Sequence, residues 1–66
     1  MVFREVVKIL NDAGWKEVAC KGSHHQFKDF TGDNPQKVTV PNHGNKDLCI
    51  KTLISIERQT GLSFRR

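Results

Sequence analysis

Apolar residues recur at three- and four-residue spacing at the start of the chain. Phe3, Val6, Val7, Leu10 and Ala13 fall on one side of a helix running from Val2 to Ala13, and Arg4, Glu5, Lys8, Asn11 and Asp12 take the other side. Gly14 stands where a left-handed residue ends such a helix, and Trp15 follows where it can fold back on Leu10. The period then shortens. From Lys16 to Lys21, Val18 and Cys20 alternate with Glu17, Ala19 and Lys21, which predicts a strand. Gly22-Ser23 makes a turn, and His24 to Phe30 reads as the partner strand of a hairpin. Thr31-Gly32-Asp33-Asn34-Pro35 is a dense turn cluster, followed by a short third strand from Lys37 to Val40. Pro41 to Asn45 closes the sheet. A last helix begins between Asp47 and Ile50, with Asp47 as its cap and Cys49, Ile50, Leu53, Ile54 and Ile56 as its apolar positions. Gly61 ends it, Leu62 reaches back to Ile56, and Ser63 to Arg66 reads as a short basic tail.

The order is α-β-β-β-α, an α+β fold. Two helices cover one face of a three-stranded antiparallel sheet and leave the other face open. Alternation then assigns faces. Phe27 is the large apolar residue of the second strand and points to the helices, with His25 and Asp29 on its side. His24, Gln26 and Lys28 therefore point to the open face. On the third strand Val38 and Val40 go inward and Lys37 and Thr39 outward. Lys21 lies at the rim.

Size narrows what such a face can do. A chain of 66 residues is one domain, residues 1–66, with a core too small for a deep active site or a bound dinucleotide. Lys and Arg number 11 against 7 Asp and Glu, which favours an anionic partner, nucleic acid first. Cys20 and Cys49 lack the spacing of a zinc site and are too few for a disulfide scaffold, so they read as buried or half-buried thiols in a reducing cytoplasm. No apolar run suggests a signal peptide or a membrane span. No histidine pair has metalloprotease spacing and no carboxylate cluster appears, so neither a metal nor another cofactor is expected.

His24 is the candidate catalytic residue. Histidine exchanges protons near neutrality, and this one follows a glycine turn and a hydroxyl, between Lys21 and Lys28. That setting suits chemistry on a phosphodiester. Lys21 and Lys28 are candidates to stabilise developing charge, and Gly22 and Ser23 to hold a phosphate oxygen. His25 reads as structural, and His43 as a turn residue. The proton donor to the leaving group is open between a second state of His24, His43 and water. Phosphate contacts are expected from Lys21, Lys28, Lys37, Lys46 and Arg58, weakening steeply with salt.

Three stretches carry a resemblance: Lys21-Gly22-Ser23-His24-His25-Gln26-Phe27, the run from Val38 to Leu48 through Pro41-Asn42-His43-Gly44, and the run from Thr52 to Leu62. With Ala13-Gly14-Trp15 they span nearly the whole chain, which resembles the HicA toxins of toxin–antitoxin systems. The sequence departs from the family at Ile50-Lys51, where Pro-Gly is usual, and at Thr60, where alanine is usual. The resemblance implies a double-stranded-RNA-binding-like fold and metal-independent cleavage of mRNA by an mRNA interferase. It also implies catalysis by the histidine after Gly-Ser, here His24, and a HicB-type antitoxin that masks the active surface. Two other readings use the same open face: an RNA-binding module without chemistry, and a protein-interaction domain whose charge is incidental.

Overall fold

The computed structural model describes residues 1–32 and 35–64. Its elements follow the expected order: α1 (Phe3–Asp12), β1 (Trp15–Lys21), β2 (His24–Asp29), β3 (Lys37–Pro41) and α2 (Ile50–Thr60). The sheet is antiparallel with strand order β1-β2-β3, so β2 is central and the other two strands are edges.

One core joins the sheet to both helices. Val6 and Leu10 of α1, Trp15, Phe27, Val38 and Val40 of the sheet, and Leu53 and Ile56 of α2 are all buried, together with Leu48. The alternation on β2 and β3 is as expected: Phe27, Val38 and Val40 face the helices. β1 departs from it. The pairing slips between Glu17 and Ala19, leaving Val18 as the extra residue of a β-bulge, 42% exposed. Strict alternation puts Trp15 and Lys21 on the same face. The bulge separates them, so Trp15 enters the core while Lys21 stays on the open side.

Gly14 ends α1 at φ +93 and donates its N–H to Asn11 O at 3.1 Å. It is also pressed against the 29–32 turn. Asp29 Oδ1 accepts the amides of Thr31 and Gly32, each at 3.0 Å, and Thr31 Oγ1 donates to Ala13 O at 3.2 Å. A Cβ on Gly14 collides with the Thr31 side chain, Oγ1 nearest. Gly14→Ala therefore combines a left-handed backbone with a side-chain collision. The strained backbone alone costs about 1–3 kcal/mol, a large part of what so small a core supplies. Urea denaturation of the variant is expected to show a loss in that range or above.

Four expectations are corrected. Asp47 does not cap α2. Cys49 is the N-cap and makes no side-chain cap bond, while Asp47 Oδ1 accepts from the Met1 amino group at 2.9 Å. Cys49 and Ile50 are exposed, the latter at 51%, so α2 buries only Leu53 and Ile56 fully. Cys20 is exposed as well, so neither thiol is a core group. Finally, the segment after Gly61 is not simply a basic tail: Phe64 is buried, and its amide donates to Glu57 Oε2 at 2.8 Å. Arg65 and Arg66 lie outside the described residues, as do Asp33 and Asn34 of the turn cluster.

Candidate RNA-cleaving face

Gly22 and Ser23 form a two-residue hairpin loop between β1 and β2. Gly22 has φ +60 and, among the described residues, no non-glycine has positive φ, the pattern of a type II′ turn. A glycine is needed at this first position, and the turn sets the register of everything after it. His24 becomes the first residue of β2, directly opposite Lys21 on one side and Pro41 on the other. Ser23 O accepts the Asn42 N–H at 2.7 Å, which ties the turn to the end of β3. Asn42 Oδ1 in turn accepts the Gly44 amide at 2.9 Å, shaping the loop that carries His43 and Lys46.

The two adjacent histidines have opposite fates. His25 faces the helix side. Its Nδ1 lies 3.0 Å from Glu17 Oε1, its Nε2 is 3.8 Å from Cys20 Sγ, and its ring packs on Phe3 with centroids 4.7 Å apart. His24 is exposed, and its imidazole makes no hydrogen bond among the described residues. A packed and bonded imidazole holds structure, while a free one on a basic face can meet a ligand.

Glu17, Cys20 and His25 are also the one group of metal-ligating type among the described residues, with ligand atoms within 4.8 Å of one another. The imidazole lies between the other two, one nitrogen toward each. A single ion takes only one of those nitrogens, and the Glu17 contact at Nδ1 orients the ring.

Gly22 and Ser23 are exposed beside His24, as expected. Lys21, Lys28 and Lys37 are exposed on the strands that form the open face, and Lys46 is exposed in the loop after β3. Two placements change the picture. Lys28 is four positions from His24 along β2, about 13 Å at the usual rise of a strand. With side chains standing off the sheet, it does not share a phosphate with His24. Lys21 is the cation in register with the imidazole. The second change is Lys16, which pairs with Lys28 and is brought to the open face by the bulge. Sequence reasoning missed it because unbroken alternation from Lys21 sends Lys16 inward. The signal was Trp15, which had to be buried and therefore required a slip somewhere in β1. No enclosed cavity lies among the described residues, so the candidate site is an open surface.

This geometry meets an independent comparison. A family model described as the HicA toxin of bacterial toxin-antitoxin matches residues 3–62. The chain belongs to the HicA toxin family. The match includes both helices and the whole sheet, and it assigns this HicA domain the toxin part of a toxin–antitoxin pair, whose partner is an antitoxin. No curated protein matches the chain. Among the described residues, no helix of the HicA domain is long and apolar enough to cross a membrane.

Proposed function

We propose that the chain is a metal-independent endoribonuclease that acts on mRNA, with His24 as its general base, held in check by a HicB-type antitoxin that covers the open face. The observation that carries this reading is the contrast at His24-His25: one imidazole engaged by Glu17 and Phe3, the other free on a cationic surface with Lys21 opposite it.

RNA brings its own nucleophile. His24 takes the proton of a ribose 2′-hydroxyl, whose oxygen attacks the adjacent phosphorus. The P–O5′ bond breaks, leaving a 2′,3′-cyclic phosphate on one fragment and, after protonation, a 5′-hydroxyl on the other. Lys21 opposes the negative charge of the phosphorane, and the exposed Gly22-Ser23 turn borders the same phosphate. The surface is open, so water reaches the leaving oxygen. His43 lies in the loop after β3 rather than on the strand pair with His24.

The test is cleavage of single-stranded RNA and DNA of one sequence by the purified protein in excess chelator. RNA is expected to be cut to cyclic-phosphate and 5′-hydroxyl ends, with DNA untouched. Equal cutting of DNA, or a strict need for a divalent ion, contradicts the mechanism. Tight RNA binding with no cutting would return the chain to the alternative, a binding module that uses the same face.

A further inference from the structure

The open face carries a feature that folding alone does not favour. Lys16 on β1, Lys28 on β2 and Lys37 on β3 are Cα partners across the sheet, forming one continuous row. Like charges directly opposite each other destabilise a sheet. Here it happens twice in one row, and all of these side chains are exposed. Among the described residues no carboxylate pairs with them. Glu17 engages His25 on the other face, Asp29 engages the Thr31 and Gly32 amides, Asp47 engages Met1, and Glu57 engages the Phe64 amide. The remaining outward positions on these strands are Ala19, Lys21, His24, Gln26, Thr39 and Pro41, none of them acidic.

The row is separate from the reaction centre. The strand rise puts it about 13 Å from His24 along β2. Strands in a sheet lie about 4.8 Å apart, so the row is roughly 10 Å wide. A stacked nucleic-acid strand offers one phosphate about every 3.4 Å of its axis, so the gap corresponds to about four nucleotide steps, and fewer if the strand is extended.

We infer that Lys16, Lys28 and Lys37 form a phosphate anchor that grips a single RNA strand up to about four nucleotides from the phosphate at His24. The inference rests on the ribonuclease reading and adds a substrate requirement to it. The reaction centre alone holds a short RNA weakly. An RNA long enough to reach the row gains several charge contacts at once and is laid along β2 in a fixed direction. Lys16 becomes a binding residue through the bulge, which gives that irregularity a role beyond burying Trp15.

The test uses His24→Ala protein, so that RNA survives, and fluorescence anisotropy with labelled single-stranded RNAs of increasing length over a salt series. Affinity is expected to climb with length until the strand spans the gap, then level off. Replacing the row (K16Q/K28Q/K37Q) is expected to remove that gain. It should also flatten the slope of log affinity against log salt by about 2, since each single-strand phosphate contact contributes about 0.7. The same charge removed from the helices (R4Q/K8Q/K51Q) is expected to flatten it by far less. Because the row is self-repelling, its variant should melt at or above the temperature of the parent, so lost binding is not lost fold. A slope unmoved by K16Q/K28Q/K37Q, or flattened equally by the helix variant, overturns the anchor. So does loss of antitoxin binding with RNA binding intact, which assigns the row to the protein partner. If unmutated protein fails to cut RNA while the slope still moves, the ribonuclease reading falls and the anchor stands.

Discussion

Bacteria induced to make the His24→Ala variant are expected to keep growing and to keep their mRNA, while the unmutated chain arrests growth and depletes it. General base catalysis by a positioned histidine contributes roughly 10²–10⁴-fold, so loss of the imidazole should lower cleavage by that factor. The substitution removes no buried atom and no hydrogen bond among the described residues. Stability should therefore stay within about 0.5 kcal/mol of the parent, as for most surface changes. That separation of activity from fold is what makes the variant decisive. His25→Ala supplies the contrast: it removes the Glu17 bond and the Phe3 contact, so its principal effect is on stability. If His24→Ala remains toxic at equal levels of soluble protein, the proton transfer lies elsewhere and His24 is solvated surface.

The fold was legible wherever one residue settled a face or an end. Gly14 and Gly61 stop helices through the backbone itself, and the structure gives them φ +93 and +76. Phe27 decides β2, because a single large apolar residue in a period-two element orients all its neighbours, and His24 follows from it. What escaped was set by contacts between distant segments. Asp47 has the chemistry of a cap, but it lies beside the chain start and is engaged there, and α2 begins without a side-chain cap. Phe64 stands alone among polar residues, with no periodicity to mark it, and it is buried where the chain beyond Gly61 packs against the core. Cys20 had an inward position on β1, yet β1 is an edge strand, and inward there does not mean covered. The candidate site was half legible. His24, Lys21, Gly22 and Ser23 follow from local order, because the hairpin turn itself juxtaposes them. The division of the lysines into one beside His24 and a distant row does not, because it depends on register across all the strands and on one bulge.

Phe27→Ala is expected to do the most damage to the fold. Phe27 is 1% exposed and sits on the central strand, in the core shared with Leu10, Val38 and Ile56. Truncation of a buried phenylalanine costs about 3–5 kcal/mol, and a single core in a domain this small supplies about the same. The variant should be largely unfolded at 37 °C, with its far-ultraviolet dichroism and its RNA cleavage lost together. Phe27→Leu keeps most of the apolar volume and should cost much less, leaving a folded and active protein with a lower melting temperature. The pair also tests the link between core and site. The outward direction of His24 is fixed by the inward direction of Phe27, three residues along the same strand, so any apolar side chain that restores the anchor should restore activity with it. Should Phe27→Leu fold well yet fail to cut RNA, Phe27 would matter to the chemistry in a way that strand alternation does not explain, and the open face would have to be defined by something other than the core beneath it.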